Sequence, residues 1–226
     1  MSGYRYEIKF VLNEVDLLEV KQFLMKNGAQ SPFPARAVNS LYFDDPDFQC
    51  VRENLSGISE RSKIRLRWYD SDNNKPELEV KRRKGRLGSK NNYKLNELTT
   101  DKISKLTSNE IKKFTFSYVT KNYNYDRVLN NYLLPVLLVN YTREYYEINS
   151  EIRVTLDSNL NFRNISSEHP VTYHNKMMYN QYIMEIKFGV NQKYIVSDLI
   201  RYLNLTPKRH SKYLVGMAKI GFVNYV

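Results

Sequence analysis

The residues of this chain that could do chemistry recur in one arrangement. Arg61, Lys63, Arg65 and Arg67 stand at alternate positions, with Ile64, Leu66 and Trp68 interleaved from position 64 onward. Side chains of a strand point alternately to its two faces, so this run reads as a strand with one cationic and one apolar face. Like charges crowded on one face repel, and an elongated polyanion is the natural partner to neutralise them. A second pattern is Glu-x-Lys, found at Glu7-Ile-Lys9, Glu79-Val-Lys81 and Glu185-Ile-Lys187. Arginine clamps phosphate oxygens in pairs, and lysine serves as a mobile point charge. Carboxylates among such cations suit Mg²⁺ or Mn²⁺, hard ions that take oxygen ligands and bridge phosphates. Positioning and charge neutralisation can carry most of phosphoryl transfer, so no covalent nucleophile is required.

These residues need strands to hold them. Residues 4–12 alternate charged and apolar side chains and read as a first strand. Asn13 caps a helix that ends near Asn27-Gly28. Residues 38–43 form a short apolar strand. Asp45-Pro46 reads as a helix start, with Asp45 as cap and Pro46 at the first helical position, and that helix closes at Ser56-Gly57. After the basic strand come a polar turn over 70–75 and a strand over 77–81. Residues 82–94, with Lys84, Arg86, Lys90 and Lys94 around Gly85 and Gly88, read as a mobile basic loop. Residues 98–131 read as mostly helical. Strands follow over 134–147, with Tyr141, Arg143 and Tyr145 on one face, then over 151–160 and 181–188; helices are expected over 197–203 and 212–222.

An open sheet with one wet face would show the same alternation in any single strand. Its recurrence in most strands favours charged faces turned into a closed or nearly closed barrel, whose lumen must be filled. The bulk numbers agree with an anionic partner. The 226 residues carry 35 Lys and Arg against 24 Asp and Glu, a net charge of +11. One domain over residues 1–226 is the economical division. The single cysteine, Cys50, rules out a disulfide within the chain and reads as a packing residue. The first residues lack the apolar core of a signal peptide, and no apolar run is long enough to span a bilayer. A cytoplasmic protein is expected, membrane-associated only through a partner.

Residues 61–69, the Glu-Val-Lys strand, Tyr141-x-Arg143, Arg153-Val-Thr-Leu-Asp157, Met184-Glu-Ile-Lys187 and Ser211-Lys-Tyr together resemble the VTC domain, in the expected order over nearly the whole chain. This is the polyphosphate polymerase domain of the vacuolar transporter chaperone complex, with bacterial stand-alone relatives. It is one of the triphosphate tunnel metalloenzymes, a superfamily shared with CYTH-type phosphatases. The resemblance implies an α+β fold, an antiparallel β tunnel barrel with helices packed outside. It implies transfer of the γ-phosphate of ATP to inorganic polyphosphate with a divalent metal. By motif, Lys9, Arg65, Arg67, Lys81, Lys90, Arg143, Arg153 and Lys212 would line the tunnel and bind phosphates. Lys63, Lys187 and Arg209 would add positive charge, and Tyr141 and Ser211 hydrogen bonds. Glu185 would be the principal metal ligand, with Glu7 and Glu79 beside it. CYTH phosphatases begin with Glu-x-Glu-x-Lys, whereas Arg5 stands here in place of the first Glu, which tilts the expectation toward polymerisation.

Hydrolysis of tripolyphosphate or nucleoside triphosphate in the same tunnel stays open as an alternative. So does non-catalytic binding of polyphosphate or RNA; DNA is not expected. His169, His174 and His210 lack metal-ligand spacing. Asp44, Asp45 and Asp47 are explained by helix capping.

Overall fold

The computed structural model describes residues 5–70, 75–85, 87–123, 129 and 132–224. Tyr4, most of the expected polar turn after Asp70, Arg86 and most of the expected helical stretch beyond Asn122 lie outside the described residues. Strands β1 (Arg5–Leu12), β2 (Arg36–Asp44), β3 (Glu60–Tyr69), β4 (Glu77–Lys84), β5 (Leu87–Lys94), β6 (Leu134–Ile148), β7 (Ile152–Asn164), β8 (Met177–Met178) and β9 (Tyr182–Gly189) make one sheet. Its order is β1-β9-β7-β6-β2-β3-β4-β5, with β8 on β7. The helices are α1 (Glu14–Lys26), α2 (Gln49–Leu55), α3 (Thr100–Lys105), α4 (Ser108–Asn122), α5 (Lys193–Leu203) and α6 (Lys212–Lys219). No described helix is long and apolar enough to cross a membrane.

The chain forms two compact units, each assembled from separate segments. The first comprises residues up to Ala37, Tyr141–Leu160 and Met178–Ser211; the second comprises Val38–Asn140, Asn161–Met177 and the residues from Lys212 on. In the first unit Phe10, Val154, Met184, Ile186 and Phe188 pack with Val20 and Leu24 of α1 and Val196 of α5. In the second, Ile64, Leu66, Leu78 and Val80 pack with Ile103 of α3 and Ile111 and Val119 of α4. Helices thus cover the apolar side of the strands in both units. The alternate residues, with all the expected phosphate ligands of these strands, lie on the opposite sheet face.

Helix α1 starts as expected. The Asn13 side chain accepts from the Asp16 N–H, and Asp16 accepts from the Asn13 N–H, a reciprocal capping box. Helix α2 does not begin at Asp45-Pro46. The chain turns first, Phe48 takes the left-handed conformation at φ 54°, and Gln49 opens the helix. The buried Asp44 carboxylate caps it, accepting from the N–H groups of Cys50 and Val51 at 2.9 and 3.2 Å, while Asp45 accepts from that of Gln49.

The expected loop over 82–94 is instead a hairpin. Strand β4 runs on to Lys84, Gly85 turns at φ 59°, and β5 pairs back along all of β4, Lys81 opposite Lys90. On β5 only Tyr93 is buried, so the strand shows no hydrophobic alternation to be read; its ladder to β4 holds it. The helical stretch splits into α3 and α4, each with a threonine cap, Thr99 and Thr107.

Candidate functional site

In the second unit, strand register assembles a basic face. Lys63, Lys81 and Lys90 stand side by side across β3, β4 and β5. In the next row are Tyr42, Arg65, Glu79 and Asn92. Glu79, only 6% exposed, is the counter-charge. Arg65 donates to it through Nε at 2.6 Å, its Nη2 also 2.6 Å away, and Lys90 donates through Nζ at 2.7 Å; Arg67 stands 3.9 Å off. Burial alone would raise the Glu79 carboxyl, but Arg65, Lys90 and Arg67 hold it at about 2.

Arg65 is anchored from its other side as well. Its Nη1 donates to Tyr42 Oη at 3.3 Å, and the Tyr42 ring stacks on Tyr213 at 4.8 Å. Tyr213 donates to Asp44 Oδ2 at 2.5 Å, so one carboxylate caps α2 and fixes α6. Burial raises the pKa of both partners, against the hydrogen bond from Tyr213 in the case of Asp44. Lys63 lies over the Tyr213 ring, with Nζ 5.8 Å from its centre. Lys212 is half-buried at the start of α6, next to Tyr213.

In the first unit the Glu-x-Lys repeats meet. β1 and β9 are antiparallel, with Glu7 opposite Lys187 and Lys9 opposite Glu185. Two identical motifs running in opposite directions therefore pair every acid with a base. Lys9 Nζ is 2.9 Å from Glu7 and 3.6 Å from Glu185; Lys187 Nζ is 2.6 Å from Glu185 and 3.8 Å from Glu7. Burial would raise the Glu185 carboxyl, but Lys9, Lys187 and Arg143 bring it to about 2. Glu7 is also lowered, its burial and the charge of Glu185 being outweighed by Lys9 and Lys187.

Arg153 stands opposite Lys187, and Thr155 opposite Glu185. The Arg153 side chain is 59% exposed and pairs with Glu147 at 3.1 Å. Arg143 donates to both oxygens of the buried Asp157, Nε at 2.6 Å and Nη2 at 2.8 Å, and lies over the buried Tyr141 ring. Burial of this guanidinium works against its charge, but Tyr141 and Asp157 more than compensate. Lys208 N–H donates to the Lys9 carbonyl at 2.8 Å, which ties the segment bearing Arg209 and Ser211 to β1. Arg209 is exposed and Ser211 half-buried.

The face of the first unit suits a hard divalent ion. Such ions use one or two protein carboxylates and complete their shell from water and phosphate oxygens. Glu185 and Glu7 are ionised and close. The buried Thr155 hydroxyl, in the row of Glu185, has no hydrogen-bond partner among the described residues. No three His, Cys, Asp or Glu among the described residues form a cage by themselves.

Four residues outside the expected set thus shape the two faces: Asp157, Thr155, Tyr42 and Asp44. Asp157 and Thr155 were visible in the Arg153-x-Thr-x-Asp spacing, on the face of Arg153. Asp44 was legible as a helix cap, but its bond to Tyr213, like the role of Tyr42, depends on contacts distant in sequence.

The fold is one already seen in solved structures. A proposed adenylate cyclase from Vibrio parahaemolyticus superposes with a TM-score of 0.52 at 9% identity, over 95% of this chain and 99% of that one. A proposed adenylyl cyclase from Hippeastrum, described as having a dominant triphosphatase activity, gives 0.57 at 12% identity, over 95% and 96%. A protein from Pyrococcus horikoshii gives 0.53 at 15%, over 96% and 99%. The likeness defines the chain as a triphosphate-tunnel fold of the α+β class. A sequence comparison with curated proteins gave no match. Within that fold class the chain belongs to the VTC domain family, whose model matches residues 4–220.

Proposed function

We propose that residues 1–226 act as one functional domain, a metal-dependent polyphosphate polymerase. In its reaction a terminal oxygen of inorganic polyphosphate attacks the γ-phosphorus of ATP, the bond to the β-phosphate oxygen breaks, and ADP leaves. The observation that carries the reading is the checkerboard of Glu7, Lys9, Glu185 and Lys187, which sets ionised carboxylates among lysines on a single face. Glu185 and Glu7 would hold Mg²⁺ or Mn²⁺, which when bound would neutralise phosphate charge and orient the γ-phosphate. Lys9, Arg143 and Arg153 bind phosphate oxygens on that face, Arg143 held in orientation by Asp157. On the second unit Arg65, Arg67, Lys81, Lys90 and Lys212 bind phosphates, with Lys63 adding charge. Glu79, expected as a third metal ligand, keeps the guanidinium of Arg65 and the Lys90 ammonium in place. Lys187, Arg209, Tyr141 and Ser211 contribute further charge and hydrogen bonds. The protein works in the cytoplasm, associated with the membrane only through a membrane-protein partner.

Incubation with ATP and Mn²⁺, with products sized on a gel, is expected to give long phosphate chains and ADP. Glu185→Gln is expected to abolish turnover while sparing polyphosphate binding. Release of orthophosphate alone would favour the second reading, a tripolyphosphatase or nucleoside triphosphatase, for which the activity described for the Hippeastrum protein speaks. Binding of polyphosphate without any metal-dependent turnover would leave a binding module.

A further inference from the structure

The charged face of the first unit ends in a cavity of about 440 Å³ to which the roles above give no ligand of its own. Arg5, Arg153 and Lys187 line it, together with Ser150, Glu151 and the turn following Gly189. Three cations thus converge on one concave site. Arg5 sits at the end of the β1–β9 ladder, opposite Gly189, and is exposed; no ion pair engages it among the described residues. The carboxylates nearby pair with Arg153 and Lys187, Glu185 lying 2.6 Å from Lys187, so Arg5 is the cation of the three with no ion pair among the described residues. Glu147 pairs with Arg153, Glu7 with Lys187, and Glu151 accepts from the Gln192 side chain.

The backbone adds to the positive character. From Gly189 the chain passes through a single 3₁₀ turn, Val190–Gln192, directly into α5. The N–H groups that open a helical run have no partner within it and carry its positive end. Val190, Asn191 and Gln192 all border the cavity. Across from them, Asn149 and Ser150 turn the β6–β7 hairpin with φ of 52° and 57°. Both central residues at positive φ mark the tight two-residue turn that fits strand twist, and it brings Ser150 to the rim. The one aromatic in the wall among the described residues, Phe188, is 3% exposed and stacked on Tyr6, so it offers little surface to a nucleobase. The site is built for an anion.

Its place on the strand says which anion. Arg5 lies four residues before Lys9 on β1, about 13 Å along the strand at the usual rise. A triphosphate at Lys9 and Glu185 is shorter than that span, whereas a longer chain lying along the same face covers it. We propose that this cavity holds a phosphate segment of the polyphosphate chain several units away from the reacting end, so that Arg5 confers preference for long chains. The inference rests on the polyphosphate reading above. It gives a role to the arginine that replaces an acidic residue of the phosphatase pattern.

The test compares calorimetric binding of tripolyphosphate and of long-chain polyphosphate to the intact protein, with Arg5→Ser, Arg5→Glu and Asn191→Asp as variants. Loss of one charge-assisted contact is expected to weaken long-chain binding about tenfold in Arg5→Ser, and further in Arg5→Glu. Tripolyphosphate binding is expected to stay within about twofold, as for a ligand too short to span from Lys9 to Arg5. Asn191→Asp adds a negative charge to the cavity from the turn after Gly189, without altering the strand, and is expected to show the same selectivity. Equal loss for both ligands, or no loss for either, would overturn the proposal while leaving the polymerase reading intact. Failure of the unaltered protein to bind either ligand would instead bring down the polyphosphate reading, and this inference with it.

Discussion

Glu79 shows how single residues hold this chemistry ready. Its carboxylate is buried among Arg65, Arg67 and Lys90, all of them on the face proposed above to bind phosphate. Without a ligand, the carboxylate is what makes so dense a cluster tolerable. In Glu79→Gln the cations lose their counter-charge. The expected loss of stability is about 2–3 kcal/mol, below the ~3–5 of a fully buried pair because Lys90 and Arg65 reach solvent. Tripolyphosphate would supply the missing negative charge, so the variant is expected to gain more thermal stability from that ligand than the parent does. Thermal unfolding with and without the ligand measures this, and an equal gain in both proteins would mean that Glu79 and phosphate do not share a cluster. Asp157 serves Arg143 in the same way in the first unit, taking both donors of its fork.

At the scale of elements, α6 shows what holds Lys212, proposed above to bind phosphate, in place. It begins at Lys212 and is fixed by Tyr213 to Asp44. It also approaches the second unit's strands without clearance. A Cβ on Gly216 would lie 2.5 Å from Leu137 and 2.7 Å from Phe162. Gly216→Ala removes a flexible residue from a helix, which by itself would stabilise it, but here the overlap dominates. The expected result is a net destabilisation of about 1–3 kcal/mol, as for other overpacked cores, read as a lower midpoint in chemical denaturation. A midpoint equal to or above that of the parent would show that Leu137 and Phe162 yield freely. The β4–β5 hairpin makes the complementary point. Lys90 owes its place beside Lys81 to backbone pairing, not to burial of its own strand.

At the scale of the whole molecule, charge sets the response to acid. Glu79 and Glu185 sit at about 2 when folded, against an ordinary 4.5. Because these values are depressed, the stability they confer is complete above the ordinary value. It is lost as the pH falls from about 5 toward 2, where the unfolded chain takes up protons first. The raised Asp44 acts in the opposite sense, its contribution fading as the pH rises, but it is a single group. Protonation also adds to a net charge that is already +11, which increases self-repulsion. The thermal midpoint is therefore expected to fall continuously from pH 6 to pH 3, and an unchanged midpoint would contradict the lowered values.

Much of this protein was legible in its sequence because strand alternation is a local property. Arg65 beside Leu66, or Glu185 beside Ile186, reveals two faces with no knowledge of the partner strand. The strands, the first helix with its Asn13 cap, the basic character and the family motifs followed from such short-range patterns. The 82–94 hairpin stayed hidden because β5 buries almost nothing, leaving no hydrophobic period to read. The start of α2 was misplaced because a carboxylate one residue earlier, Asp44, reaches into the helix while the chain still turns. What only the tertiary structure decided was which charges meet. That Glu7 faces Lys187, that Lys63, Lys81 and Lys90 form a row, and that Arg5, Arg153 and Lys187 share a cavity all depend on strand register. A shift of one residue would turn every one of these side chains to the other face, and the burial that forbids such a shift comes from residues far apart along the chain.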